Sequence, residues 1–319
     1  MKRILPPELL PTTLWDSENK ILNIPPELSK VYETIIDRHD LRELANSRTK
    51  DDSPVGGLTQ EETSKHFAQA FDGSVARTQL AFLDPNNDLA ETSNTFISIL
   101  VGNKLSLTDA PCGAGAAAFA ILANIAELRR QDVLPRIPLN VVLVGAEISE
   151  PAREYAKEIL DKLRPSLEAQ AIFVDAEFIE WDVTCSLSNT DLIQCFTRKA
   201  SEQDKRLLLV ANFNGFLERE GKRKAAEKQL EELFRHMSNT KNSLAIWIEP
   251  QMKSASKALL PWLIKKIQDS WNRFVKKIGD DPASDSLSTN TKFRHPLKPD
   301  TTYNVRLVIV AADLIRTKK

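Results

Sequence analysis

The feature that most constrains the fold is an alternation of short apolar runs with helical patterns that begins near residue 105. The run LNVVLVGAEI at 139–148 is rich in β-branched residues, as expected for a strand buried on both faces. An amphipathic segment, EPAREYAKEILDKLRPSL, follows it at 150–167. Five such β–α repeats in succession predict an α/β fold with a doubly wound, mostly parallel sheet.

The end of the chain departs from this alternation. KALLPWLIKKIQDSWNRFVKKI at 257–278 is predicted to be a helix, broken or kinked at Pro261. The polar stretch GDDPASDSLSTNTK at 279–292 is predicted to be a connection. The last apolar run, TTYNVRLVIVAADLI at 301–315, has no helix after it, so we expect it to pair antiparallel with its neighbours.

Residues 1–100 differ from the rest and are predicted to be a helical N-terminal module without strands, acting as a lid or a docking element. Residues 101–319 are predicted to be the Rossmann-like domain. Thr59 and Glu62 have the spacing of a capping box at the start of a helix over about 60–82.

Composition narrows the class of protein. The chain has 319 residues and a formal net charge of −1, so no global basic field draws it to nucleic acid or anionic lipid. Its three cysteines and four histidines are scattered, and no metal site is predicted. The start of the chain lacks the apolar core of a signal peptide, and no apolar run reaches the ~18 residues of a membrane span. We therefore expect a cytoplasmic protein that does not bind membranes.

Two glycines, Gly113 and Gly115, stand where the first strand of the repeats meets a helix, in LTDAPCGAGAAAFA. Glycine allows a tight turn and lets a ligand approach the backbone closely. The free N–H groups of a helix N-terminus favour an anion. The pair therefore indicates a cofactor loop, and the alternative is a tight turn that binds nothing.

Polar side chains follow the next three strands: Glu147, then Asp182, then Asn212 and Asn214 around Phe213. Each has a simpler interpretation, as a helix cap, a turn aspartate or turn asparagines. Carboxyl ends of parallel strands meet at one edge of a sheet, where an acid can accept both hydroxyls of a ribose. Together the four strand ends predict a crevice for a nucleoside cofactor.

Five segments resemble the successive motifs of the class I S-adenosylmethionine-dependent methyltransferases. They are TDAPCGAGAAAFA (108–120), VGAEIS (144–149), FIEWDV (178–183), VANFNGFL (210–217) and AIWIEP (245–250). The resemblance covers about 105–250, and the closing strand fits that family's seventh, antiparallel strand. It implies a seven-stranded Rossmann-like sheet, S-adenosylmethionine as cofactor and methyl transfer as the reaction.

The resemblance also implies roles for single residues. Asp109 would lie near the amino-acid part of the cofactor, while Gly113 and Gly115 shape the loop around it. Glu147 would bind the ribose hydroxyls, with Ile148 against the adenine.

The adenine amine would be bound by Asp182, with a backbone N–H from Val183. Asn212 and Phe213 are further candidates for cofactor binding. Asn212 and Asn214, at the reacting end of the crevice, are the candidate catalytic residues.

Two departures from the family pattern restrict the acceptor. The Pro-Pro-aromatic motif of the family's amine methylases is absent, because the strand is followed by Asn212, Phe213, Asn214 and Gly215. No cysteine stands there to act as the nucleophile of a 5-methylcytosine enzyme.

Other functions stay open. Gly113, Gly115 and Ala118 satisfy G-x-G-x-x-A, as in NAD(P)-dependent oxidoreductases, although the following acid comes later than the ~20 residues of that fingerprint. A methyltransferase fold acting as an inactive binding subunit is another alternative. The acceptor is unknown, with a lean towards a macromolecule such as nucleic acid through a basic-aromatic helix near 262–277, and a small molecule or a protein side chain is the alternative. A protein partner could bind the N-terminal helices.

Overall fold

The computed structural model describes residues 3–48, 56–100, 102–200, 205–237, 243–251, 275–277 and 288–314, with 275–277 and 310–314 described by their backbone alone. The strands are β1 (Trp15–Asp16), β2 (Ile21–Asn23), β3 (Lys104–Asp109), β4 (Leu139–Ala146), β5 (Ile172–Ile179), β6 (Lys205–Ala211), β7 (Ser243–Pro250), β8 (Val275–Lys277), β9 (Ser288–His295) and β10 (Lys298–Leu314). The helices are α1 (Pro26–Arg38), α2 (Arg42–Asn46), α3 (Gln60–Leu83), α4 (Ala90–Leu100), α5 (Ala116–Arg130), α6 (Glu150–Glu168), α7 (Ser186–Lys199), α8 (Asn214–Arg219) and α9 (Arg223–Met237), with a 3-10 turn at Pro7–Leu9.

The strands of the described residues form a single sheet in the order β1-β2-β9-β10-β7-β6-β3-β4-β5, with β8 beside β10. The five strands from β3 to β7 run parallel, and β10 pairs antiparallel with β7. This confirms the predicted doubly wound, mostly parallel α/β fold with an antiparallel last strand. The predicted number of seven strands is wrong, because β1, β2, β8 and β9 bring the sheet of the described residues to ten. The chain moves outward in both directions from β3, so the topological switch point lies at the carboxyl end of that strand.

Helices cover both faces of the sheet, because successive side chains of each buried strand point to opposite sides. On β6, Leu207 and Leu209 join a core formed with α1, α3, α4, α5 and α6, whereas Leu208 and Val210 join a second core formed with α7, α8 and α9. This explains why β4, β6 and β7 are apolar along most of their length, whereas the edge strand β5 exposes Phe173 and Asp175.

Three sequence predictions of the secondary structure are wrong. The N-terminal region contains the short strands β1 and β2, and β2 extends the sheet by pairing parallel with β9. Strand β9 occupies part of the stretch expected to be a polar connection, where cross-strand pairing with β10 compensates for few apolar residues. Val275–Lys277 forms β8 and so cannot belong to the predicted helix near 262–277, whose residues 262–274 lie outside the described ranges.

Helix α3 begins as the sequence predicts. The Thr59 side chain accepts from the backbone N–H of Glu62, and the Glu62 side chain accepts from that of Thr59, which completes the capping box. From residue 66 to its end the helix is buried except at four half-exposed positions, His66, Ala70, Ser74 and Arg77. Their spacing of three to four residues places them on one face, which we call the open face of α3.

The N-terminal helices share their apolar core with the sheet. Phe67, Phe71 and Phe82 of α3 belong to the same buried cluster as Leu107 of β3 and Leu122 of α5. The division into residues 1–100 and 101–319 stays a prediction. No helix of the described residues is long and apolar enough to cross a bilayer.

Candidate functional site

The loop between β3 and α5 carries both glycines in left-handed conformations, Gly113 at φ +52° and Gly115 at φ +79°. A Cβ atom on Gly115 would overlap the ring of Phe119, so this position requires glycine for packing as well as for its backbone. A Cβ on Gly113 would meet nothing within 4 Å. The loop therefore leaves open space beside Gly113, into which a ligand could fit.

Asp109 ends β3 directly below this loop and is completely buried. Its Oδ2 accepts from the backbone N–H of Ala118 at 3.2 Å, while Oδ1 has no hydrogen-bond partner among the described residues. Burial raises the pKa of Asp109 to about 7, and the nearby Glu147 adds to the rise. A buried carboxyl oxygen without a partner is costly, so a donor supplied by a ligand would be favourable here.

Glu147, one residue beyond β4, joins that strand end to the glycine loop. Its Oε2 accepts from the N–H of Gly113 at 3.0 Å, and its Oε1 accepts from the N–H of Ser149 at 3.0 Å. The N-cap of α6 is Ser149, whose hydroxyl accepts from Ala152. Burial raises the pKa of the half-exposed Glu147. Because each carboxylate oxygen has two lone pairs, both can accept a further hydrogen bond.

The segment after β5 is tied to Glu147, whose carbonyl accepts from the N–H of Trp181 at 3.3 Å. Oδ1 of Asp182 accepts from both the N–H and the hydroxyl of Thr184 at 2.8 Å. That is the turn arrangement considered as the simpler alternative for Asp182. Ile148 is half-buried and Val183 is buried.

The three residues after β6 lie on the other side of β3. Asn212 has φ +56°, and its side chain accepts from Nη1 of Arg77 at 2.6 Å and donates to the hydroxyl of Ser74 at 3.2 Å. The side-chain oxygen of Asn214 accepts from Arg223 at 3.0 Å. Both candidate catalytic amides therefore have protein partners.

Two charged residues at this end of the crevice were not among the predicted site residues, namely Glu249 and Arg77. Oε1 of Glu249 accepts from the backbone N–H groups of Phe213 at 2.9 Å and Asn214 at 2.8 Å, and from the indole of Trp247 at 2.6 Å. Glu249 lies near the carboxyl end of β7, much as Glu147 lies at the end of β4. The acid in the IWIEP segment could therefore have been predicted to lie at the same edge of the sheet.

The predicted residues thus collect at the carboxyl edge of the sheet, in two groups on either side of the β3 end. Hydrogen bonds join Gly113, Glu147 and the segment before Asp182, beside the buried Asp109. Asn212 is joined to the open face of α3 instead.

Comparison with known proteins adds little. No protein-family model matches the chain, and no curated protein matches its sequence. A solved structure from Listeria monocytogenes, provisionally described as a class I S-adenosylmethionine-dependent methyltransferase, is similar with a TM-score of 0.34 and 13% identity. The match covers 93% of this chain and 89% of that one. A likeness this weak says nothing about individual residues.

Proposed function

We propose that this protein is an S-adenosylmethionine-dependent methyltransferase. The observation that carries the proposal is the bond between Glu147 and Gly113, which places a carboxylate beside an open glycine loop at the switch point of the sheet. Doubly wound folds bind nucleoside cofactors at this position. The unpartnered oxygen of Asp109 next to the loop supports a ligand that brings hydrogen-bond donors.

In this proposal Glu147 holds the two ribose hydroxyls, using the acceptor capacity that Gly113 and Ser149 leave free. Ile148 and Val183 provide apolar contact for the adenine. Oδ2 of Asp182, which has no partner among the described residues, accepts from the adenine amine.

The bound cofactor would supply an already activated methyl group, so the protein's contribution is mainly to align the acceptor. Asn212 and Asn214 are proposed to position the acceptor at the β6 end, and Phe213 to pack beside the cofactor. The proposed acceptor is a macromolecule such as nucleic acid, and the proposed location is the cytoplasm. A lid or docking role is proposed for the N-terminal helices.

A binding subunit without catalysis is the second candidate. The hydrogen bonds that Arg77 and Arg223 donate to the two asparagine side chains favour it, because they occupy the amide oxygens that would otherwise face an acceptor.

Native mass spectrometry of the purified protein, followed by transfer of a labelled methyl group to RNA, DNA and protein pools, tests the proposal. Co-bound S-adenosylmethionine or its demethylated product with label in one pool would support methyl transfer. Bound cofactor without transfer would favour the binding subunit, and bound NAD would contradict both.

A further inference from the structure

The open face of α3 meets the carboxyl end of β6, because both Arg77 and Ser74 on this face are bonded to the Asn212 side chain. Arg77 lies on this face, and its Nη1 donates to the Asn212 side chain at 2.6 Å. The other guanidinium N–H groups of Arg77 have no acceptor among the described residues. They are not sealed in the core, since the residue is half-exposed. Arg77 therefore offers unused donors to the crevice.

Glu249 lies near the carboxyl end of β7, close enough for its charge to act on Arg77, and is also half-exposed. Three donors converge on its Oε1, as described above, and they fix the orientation of the carboxylate. Its Oε2 has no hydrogen-bond partner among the described residues. Glu249 therefore offers an unused acceptor to the crevice.

These two charges are close but do not pair with each other. Arg77 is bonded to Asn212, while Glu249 is bonded to the next two residues along the chain, Phe213 and Asn214. Consecutive Cα atoms are only about 3.8 Å apart. No nitrogen of Arg77 nevertheless comes within 4.0 Å of an oxygen of Glu249, the limit for an ion pair. Burial raises the pKa of Glu249, and the donors on its Oε1 and the charge of Arg77 oppose the rise. The two groups therefore stand near each other at the strand ends without pairing, each with free hydrogen-bonding capacity.

The surrounding charges do not cancel this arrangement. Asp72, the other acid near Arg77, has both oxygens bonded to Arg48 at 3.0 Å. Burial, with the charges of Arg77 and Arg219, lowers the pKa of His66 to about 4, so the imidazole is neutral at pH 7. Burial lowers the pKa of Arg77 only to about 10, so the guanidinium stays charged.

We propose that Arg77 and Glu249 together bind the zwitterionic head group of an α-amino acid. The carboxylate of the ligand would accept from the unused N–H groups of Arg77, and its ammonium group would donate to Oε2 of Glu249. Half-buried charges that lack an ion-pair partner are costly, and a zwitterion neutralises both at once without adding net charge. The amino acid is either the methionine part of the cofactor, where the inference rests on the proposed function, or a separate amino-acid acceptor, which would replace the macromolecular acceptor proposed above.

Calorimetry with two nucleosides distinguishes an amino acid that is part of the cofactor from one that binds separately. S-adenosylhomocysteine carries the amino-acid group, whereas 5′-methylthioadenosine lacks it. Arg77→Met and Glu249→Gln are the variants, and Arg219→Met, an exposed arginine on α8, is the matched control. Glu249→Gln keeps an oxygen for the three N–H donors, so it remains informative if Arg77→Met fails to fold.

If the cofactor is the source, each variant should weaken S-adenosylhomocysteine binding by roughly 10- to 100-fold and leave methylthioadenosine binding within twofold. If a separate amino acid is the source, both nucleosides should bind the variants normally. An amino acid from a panel of the free amino acids should then raise the melting temperature of the wild type and not of the variants.

The inference is overturned if the variants bind both nucleosides normally and no amino acid stabilises the wild type. A wild type that binds neither nucleoside would refute the proposed function alone, because the amino-acid panel still tests the Arg77 and Glu249 site.

Discussion

Asparagine in place of Asp109 should make the free energy of unfolding less dependent on pH. Asp109 is completely buried, and burial raises its pKa from 3.8 to about 7. Between pH 3.8 and about pH 7, the folded state therefore keeps a proton on Asp109 that the unfolded chain has released. Stability from this group is fully present below pH 3.8 and is lost as the pH rises to about 7.

The magnitude follows from the size of the shift. Each pKa unit corresponds to about 1.4 kcal/mol, so the whole shift represents ~4 kcal/mol. Of this, ~2.5 kcal/mol falls between pH 5 and pH 8. Asparagine does not titrate, and its oxygen can still accept from the N–H of Ala118. Its amide nitrogen would replace the unpartnered Oδ1, which costs about 1–3 kcal/mol at either pH.

Urea unfolding of the ligand-free wild type and Asp109→Asn at pH 5 and pH 8 measures the effect. The free energy of unfolding of the variant relative to the wild type should rise by ~2.5 kcal/mol from pH 5 to pH 8. Asp175→Asn, which removes a carboxylate with a 70% exposed side chain from β5, is the control and should show no such rise. An equal difference at both pH values would show that Asp109 does not titrate in this range, and would refute the reasoning.

Two further substitutions test the cofactor loop. Glu147→Ala should weaken S-adenosylhomocysteine binding by ~1.5–3 kcal/mol in calorimetry, because it removes a charged acceptor for the ribose hydroxyls. Glu154→Ala on the exposed side of α6 is its control. An unchanged dissociation constant in a folded Glu147→Ala variant would contradict the role. Gly115→Ala should lower the free energy of unfolding by ~1–3 kcal/mol in urea, since alanine is strained at φ +79° and its Cβ overlaps Phe119. Gly215→Ala, whose Cβ meets nothing within 4 Å, is the control and should not lower it. Equal stability of the two variants would contradict the requirement for glycine at position 115.

The central parallel strands β3, β4, β6 and β7 could be predicted because they are buried on both faces. A strand such as β4 shows as a continuous apolar run in the sequence, and the helix after it shows the 3.6-residue period. Strand β9 lacked such a signal, because two of its three buried residues, Thr289 and His295, are polar and only Phe293 is apolar. The two- and three-residue strands β1 and β2 are too short for any period.

The two groups of site residues also differ in how far the sequence could predict their positions. Asp109, Gly113 and Glu147 could be predicted to lie together, because they follow adjacent parallel strands and the ends of such strands meet at one edge. Arg77 could not be placed beside Asn212, because their contact depends on how α3 packs along α5 and across the strand ends. Its spacing from His66, Ala70 and Ser74 shows a common face but not what that face meets.

Calorimetric titration of the purified protein with S-adenosylhomocysteine and, separately, with NAD tests the central claim most directly. Both ligands contain an adenosine ribose that Glu147 could hold, but only the first has the amino-acid end of the proposed cofactor. We predict binding of S-adenosylhomocysteine with a dissociation constant near the micromolar range, ~−8 kcal/mol, and no measurable heat with NAD. Heat with NAD and none with S-adenosylhomocysteine would contradict the assignment as a methyltransferase.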